Sequence, residues 1–416
     1  MHKPTRLIFL LILITIPITA NAQTGNIVSI NNLTTDGFPH VTVSVDVRDS
    51  QGFFVSGLTA ENAAVVENGL EIPANGLIEH RNGAKIVVAI NTSDSFAIRD
   101  EVGLTRYDTI SASLVSWLGP VGTENIDLLS LVTPEGALVN DTTNVNQWLE
   151  QLQAYQPIME NMIAGVTVLN QAIEIVFEPT TQPGSGKAIF FITPALSTSL
   201  SAGLQSLTEM AVQSNARVYV LLVDSPAVFD SQEAIQLQSL AAQTGGQYFA
   251  YSGSEPLPDF DFWFESARRS YELTYFSKIN VAGMQELGVK ISSPVGDMTS
   301  NFLDFEVALS PPNPVFVSVP AQIVRAIPDE LEVAVENLFP KQFPLEVLFD
   351  FPDTLSREIV RSVLYANNVI VAEINQPPFN QFTLNLTKFE ASERILLRVE
   401  VTDEIGLSGT SLDIPV

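Results

Sequence analysis

The chain has 416 residues and carries 47 Asp and Glu against 20 Lys and Arg, a formal net charge of −27 at pH 7. That balance excludes the basic footprint of a nucleic-acid binder and a polybasic membrane patch. There is no cysteine, which excludes disulfides, thiolate nucleophiles and thiolate zinc sites, and the three histidines (His2, His40, His80) leave acid–base chemistry few candidates.

Hydrophobic residues make up 46% of the chain, enough for a large core and too many for a disordered polymer. At about 150 residues per domain the length suggests two or three domains. Residues 1–22 read as a Sec-type signal peptide. Lys3 and Arg6 supply the positive start, Leu7 to Thr19 the apolar run, and Ala20-Asn21-Ala22 the small-residue cleavage site. The apolar run is shorter than the ~20 residues that a membrane anchor needs. Cleavage after Ala22 and a secreted or extracytoplasmic chain without a transmembrane segment are therefore expected.

Residues 23–82 read as an N-terminal β region. His40 to Val47 alternates apolar and polar with period two, and Asp49-Ser50-Gln51-Gly52 and Asn68-Gly69 supply turns. From residue 83 to 270 the pattern changes. Ile86 to Ile90, Ile126 to Val132, Ala188 to Thr193 and Val218 to Val223 are apolar runs that suit strands buried on both faces. Between them lie helical faces, such as Leu169, Ala172, Ile173, Val176 and Phe177, or Ile110, Leu114, Trp117 and Leu118. The expected fold is α/β, a doubly wound, mostly parallel sheet of Rossmann type flanked by β-rich regions. Residues 271–312 read as a β extension packing with the N-terminal β region. The Pro-rich stretch Ser310 to Pro314 is the clearest linker. Residues 313–416 hold short strand candidates, Leu331 to Val335 among them, and predict an all-β immunoglobulin-like sandwich.

In an open α/β sheet, ligands sit outside the carboxyl ends of the strands. The loop after the first buried run reads Asn91-Thr92-Ser93-Asp94-Ser95-Phe96. It resembles the Asp-x-Ser-x-Ser motif of von Willebrand factor type A domains. Gly165-Val166-Thr167 resembles that family's loop with the metal-binding Thr, Leu240 to Phe249 the stretch where its penultimate helix turns into its last strand, and Arg268 to Tyr275 the exit segment of its secreted bacterial members. The flank from Phe38 to Gly69 resembles the N-terminal β region of those members, so the likeness spans about residues 38–292.

The resemblance implies a metal-ion-dependent adhesion site in which Ser93, Ser95 and Thr167 are the candidate ligands of a divalent cation. It also implies two Asp ligands, but Asn91 and Pro194 stand at those positions. Neutral oxygens alone offset a divalent ion's desolvation poorly. The expected site is therefore degenerate and free of cofactor. The alternative is Mg²⁺ or Ca²⁺ held by Ser93, Ser95 and Thr167, with Asp94 or Asp224 adding charge. Read from local structure alone, Ser93 and Ser95 bond turn and helix-start amides.

Other signals point away from catalysis. Gly184-Ser185-Gly186-Lys187 precedes a strand, whereas a phosphate cradle needs a helix start next in line. His40 and His80 fall outside the α/β unit, and the acid pairs Asp259/Asp261 and Asp350/Asp353 read as solvated surface. The expected function is non-enzymatic recognition, adhesion or scaffolding of an extracellular or cell-surface protein through Asn91, Ser93, Asp94, Ser95 and Thr167. The alternatives are an extracellular hydrolase of surface polymer and a purely structural module.

Overall fold

The computed structural model describes residues 27–120, 125–178, 185–294, 296–327, 337–390 and 393–416. The expected signal peptide and the strand expected over Leu331 to Val335 lie outside the described residues. The chain opens with β1 (Ile27–Thr34) and β2 (His40–Arg48), whose Val41, Val43, Val45 and Val47 are all buried, as period-two alternation requires. β3 (Ala63–Glu67) and β4 (Leu70–Pro73) follow, joined by Asn68-Gly69, both with positive φ, the turn that matches strand twist. β5 (Gly76–Arg81) then leads into the helix-bearing part of the molecule.

That part comprises β6 (Ala84–Ile90), α1 (Arg106–Leu118), β7 (Leu128–Thr133), β8 (Gly136–Thr142), α2 (Val145–Ala154), α3 (Thr167–Phe177), β9 (Gly186–Thr193), α4 (Ser201–Gln213), β10 (Ala216–Val223), α5 (Gln232–Thr244), β11 (Tyr248–Tyr251) and α6 (Phe260–Glu265). Its strands form one sheet in the order β11-β10-β9-β6-β7-β8, parallel except for the β7–β8 pair. All seven residues of β6 and all eight of β10 are buried, because side chains cover both faces. On one face Ile86, Val88 and Phe190 meet Ile110, Leu114, Trp148 and Phe260. On the other, Val87, Phe191 and Val218 meet Leu169, Ile173, Leu204 and Leu237.

After α6 the chain returns to β structure. β12 (Arg269–Phe276) inserts between β2 and β5, completing a sheet of order β1-β2-β12-β5. β13 (Gly283–Ser293), β14 (Gly296–Thr299) and β15 (Leu303–Val307) join β3 and β4, with β13 central. The two sheets share one apolar core. The entry and exit of the helix-bearing segment are neighbours, since Arg81 lies opposite Arg269 in the ladder. Glu265 receives both arginines there, at 3.0 Å from Arg81 and 2.7 Å from Arg269.

The C-terminal residues add β16 (Asn313–Phe316), β17 (Gln342–Asp350), β18 (Ile359–Ala366), β19 (Val369–Ile374), β20 (Gln381–Asn385), β21 (Leu396–Asp403), β22 (Ser408–Thr410) and β23 (Ile414–Pro415). They form sheets of order β16-β17-β20 and β19-β18-β21-β22, with β23 on β21, around a common core.

This architecture corrects the expected fold class. The protein is mostly β, 41% strand against 23% helix, with several separate antiparallel sheets and, among the described residues, one mixed sheet. It is not a doubly wound, mostly parallel α/β fold of von Willebrand type A or Rossmann kind, and the C-terminal residues form two of the separate antiparallel sheets rather than the expected immunoglobulin-like sandwich. Alternating strands outside residues 83–270 pair by hairpins and returns, which gives antiparallel ladders. Those ladders outweigh the parallel run that the buried apolar segments suggested. Even within the mixed sheet, β8 folds back antiparallel across the turn at Gly136, whose φ is 119°.

Candidate functional site

Loops from the carboxyl ends of β6, β9 and β10 converge at one end of the mixed sheet. The loop after β6 begins at Asn91, whose backbone N–H still donates to Ile192 O at 2.8 Å. The buried Asn91 side chain then joins two neighbours. Its Nδ2 donates to Gly165 O and to Thr193 Oγ1, both at 3.0 Å. Thr193 passes the chain on, donating to Pro194 O at 3.0 Å. Asn91, the Gly165 loop and Pro194, which the sequence placed about 70 and 100 residues apart, are thus one hydrogen-bonded unit.

The serines come next. Ser93 caps a short 3₁₀ turn from Asp94 to Ala97 by accepting from Ser95 N at 3.3 Å, and the two hydroxyls lie 3.1 Å apart. Ser95 Oγ donates to Val223 O at 2.6 Å, tying the loop to the end of β10. Asp94 Oδ1 accepts from Asn161 N at 2.7 Å, and Asp224 accepts from Ser225 N at 2.8 Å and Ala195 N at 3.2 Å. Thr167 is the first residue of α3 and is exposed. The fold therefore brings Asn91, Ser93, Asp94, Ser95, Thr167 and Pro194 to the same end of the sheet.

Arg106 was not anticipated from the sequence. It is buried, and donates from Nε to Ser252 O at 2.7 Å and from Nη1 to Ser95 O at 3.0 Å, so it locks the serine loop to the loop after β11. Burial pulls its guanidinium below the ordinary value, while Asp224, Tyr251 and Glu255 act in the opposite sense. The available signal was Thr105-Arg106-Tyr107-Asp108. Thr105 and Asp108 form a capping box, with Asp108 N to Thr105 Oγ1 at 3.0 Å and Thr105 N to Asp108 Oδ2 at 2.8 Å. That box fixes where α1 starts and so where Arg106 points.

As a cradle for a divalent cation this donor set fits poorly. The position nearest the sheet offers an amide whose N–H groups are turned inward, and Ser93, Ser95, Asp94 and Asp224 are each bonded to a backbone group. Among the described residues no group of three or more His, Asp or Glu side chains is placed to hold a metal ion. The discounted signals have structural partners as well. Gly186 opens β9, and Ser185 donates to Asn82 O at 3.2 Å. His40 packs edge-on against Phe276, and His80 lies 3.9 Å from Glu272. Asp259 caps α6, Asp261 pairs with Arg268 at 2.7 Å, and Asp353 pairs with Arg357 at 2.9 Å.

Around the hydroxyl-lined centre stands an apolar rim. Ile158 accepts from Thr92 Oγ1 through its carbonyl at 3.3 Å, which seats it beside the loop, and its side chain faces outward. Ile163 is 93% exposed and Val102 80%, with Ile98 and Leu104 also exposed on the turn that runs into α1. Five large aliphatic side chains are thus exposed at this end of the sheet, interspersed with the exposed Arg99, Asp100 and Glu101.

No family model matches the chain, and no curated protein matches it. Among solved structures, the manganese-loaded Plasmodium vivax TRAP protein is a weak neighbour. It shares 12% identity over 55% of this chain and 96% of its own, with a TM-score of 0.31. An uncharacterized membrane spanning protein from Vibrio fischeri shares 18% identity over 41% of this chain and 89% of its own, with a TM-score of 0.18. At such scores neither likeness carries an argument about the fold or the site. Among the described residues no helix is long and apolar enough to cross a membrane.

Proposed function

We propose that the chain is a non-enzymatic recognition protein that docks a macromolecular partner on the rim at the carboxyl ends of β6, β9 and β10, without a metal ion. The observation that carries this reading is the pair of bonds from Asn91 Nδ2 to Gly165 O and Thr193 Oγ1. A carboxylate accepts and cannot donate, so an amide here braces three loops where a cation ligand would have to face outward. The braced loops hold Ile98, Val102, Leu104, Ile158 and Ile163 on a firm base, and apolar side chains on a rigid base are what a protein interface buries at its centre. The leader-like sequence of residues 1–22 supports a partner outside the cytoplasm, a secreted or cell-surface protein.

The test is capture of candidate surface proteins by the full chain, with and without EDTA, alongside an Ile163→Glu, Val102→Glu double variant. Capture that survives chelation and is lost in the double variant supports the reading. Capture abolished by EDTA and indifferent to the double variant would show that a cation, not the rim, holds the partner.

A further inference from the structure

Three of the rim's aliphatic side chains do not stand on a flat surface. Ile98, Val102 and Leu104 line a cavity of about 380 Å³, which they share with Arg106, Thr109 and the loop after β11. This wall is set by its own turn. Asp100 Oδ1 accepts from Val102 N and Leu104 N, both at 2.9 Å, and Arg99 Nη1 donates to Gly103 O at 2.5 Å. Arg106 N donates to Ile98 O at 3.0 Å and closes the turn onto α1. The three side chains are therefore held in place while they stay exposed.

Arg106 brings unused donors to the cavity. Its Nε and Nη1 are taken by Ser252 O and Ser95 O, but among the described residues Nη2 has no hydrogen-bond partner, and the side chain has no ion pair. Nη2 is also not among the buried polar atoms that are sealed off without a partner. Two N–H groups of a largely buried guanidinium thus stay open to an acceptor. What they lack is a lone pair rather than a counter-ion. The lining holds Arg99 and Arg106 against Asp100 and Glu101, and Asp224 and Glu255 already favour the Arg106 charge. A further carboxylate would meet as many negative groups as positive ones. An uncharged carbonyl satisfies the two N–H groups without that repulsion. Carbonyls inside a helix or sheet are already bonded, so a free one comes from an extended segment.

We infer that this cavity takes an extended, uncharged peptide segment of the partner, with a main-chain carbonyl on Arg106 Nη2 and an adjacent aliphatic side chain against Ile98, Val102 and Leu104. The inference rests on the recognition reading above and gives the partner's contact a chemistry. The volume falls within the ~300–1,000 Å³ of ligand pockets, and burying the aliphatic group against the preset wall supplies the apolar share of the binding.

Capped tripeptides test this on the full chain by saturation-transfer NMR. The probes are acetyl-Ala-Leu-Ala-amide, acetyl-Ala-Gly-Ala-amide without the aliphatic group, and acetyl-Ala-Asp-Ala-amide with a carboxylate. The leucine peptide should bind saturably at millimolar concentration, and the other two about tenfold more weakly or less. Arg106→Lys keeps the charge, loses Nη2 and should weaken binding about tenfold, the usual worth of a hydrogen bond to a charged group. Because that variant also disturbs the bonds to Ser95 and Ser252, a second one keeps the test clean. Thr109 is half-buried and lies three residues beyond Arg106 on the same face of α1. Thr109→Met fills the cavity and leaves the Arg106 bonds alone, so it should abolish binding at an unchanged melting temperature. No saturable binding of the leucine peptide, equal or tighter binding of the aspartate peptide, or binding unchanged in Thr109→Met would each overturn the inference. Failure of the recognition reading looks different. Capture of surface proteins that survives the Ile163→Glu, Val102→Glu pair, while the leucine peptide binds and Thr109→Met blocks it, would sink the rim and leave the cavity standing.

Discussion

The two ends of the mixed sheet solve the same problem in opposite ways. At the carboxyl ends the loops are braced by side chains bonded to uncharged groups, with the Asn91 amide, the Ser95 hydroxyl and the Arg106 guanidinium donating to carbonyls and to the Thr193 hydroxyl. At the amino ends the bracing is ionic. Asp46 with Arg217, Lys85 with Asp141, and Arg268 with Asp127 at 2.9 Å all involve buried side chains. The difference follows from what each end faces. The amino ends abut the sheet formed by β1, β2, β12 and β5, where charges can be matched across a closed contact. The carboxyl ends face outward, and the charges described there, Asp94, Asp224 and Arg106, are bonded to backbone groups rather than to one another.

The largest effect that would sharpen this contrast is at the ionic end. Arg217→Ala removes one of the two guanidiniums on the buried Asp46 carboxylate and leaves Arg48 at 3.0 Å, a loss of about 2–3 kcal/mol. Chemical denaturation measures it. A loss under about 1 kcal/mol would mean that the amino-end ion pairs are not what joins the two sheets.

At the neutral end, Asn91→Asp turns an acceptor toward Gly165 O and Thr193 Oγ1 and costs about 1–3 kcal/mol. The introduced carboxyl can donate only when protonated, so folding raises its pKa above the unfolded value of about 3.9. Its penalty is complete above the raised folded-state pKa and fades as pH falls to the unfolded value. Stability curves of the variant and the natural chain should therefore converge toward acid pH. Parallel curves would place the Asn91 amide outside the brace.

Gly245 tests the seam between the ends. It ends α5 with φ 73°, and a Cβ there would meet the Arg48 guanidinium. Gly245→Ala should cost about 1–2 kcal/mol through backbone strain and displacement of Arg48. A neutral result in thermal melting would remove Arg48 from the seam. Smallest of all is Ile163→Glu, expected within about 0.5 kcal/mol because the side chain is exposed. Any larger loss would assign the rim a part in folding.

What the sequence made legible follows the range of the interactions. The apolar runs at 86–90, 188–193 and 218–223 lie within β6, β9 and β10, because a strand buried on both faces needs an unbroken apolar segment. β8 gave no such signal, since Val139 is its one buried residue. The loop at Asn91 was visible from its place after β6. Its bracing was not, because the partners are 74 and 102 residues away and an Asn at that position reads as a failed ligand. Asp46 and Arg217 stand 171 residues apart, and neither local spacing nor periodicity couples them. The overall fold class was misjudged for a related reason. Buried parallel runs are conspicuous, while antiparallel strands with one solvated face are individually faint and collectively the larger part of this molecule.

The threading of β12 between β2 and β5 has a mechanical consequence. Along the covalent chain, and once the Arg217–Asp46 contact has parted, a pull on the rim reaches the rest of the molecule through residues 81 and 269, which sit side by side. Tension then runs lengthwise down β5 and β12 together, so their shared ladder feels little relative displacement. The load falls on the β12–β2 ladder, six residue pairs from Tyr271 opposite Val45 to Phe276 opposite His40. Those bonds lie across the direction of pull and must yield together, whereas a hairpin opened from its end yields one bond at a time. A tether built this way resists sudden traction on its outward face far better than its equilibrium stability alone would suggest.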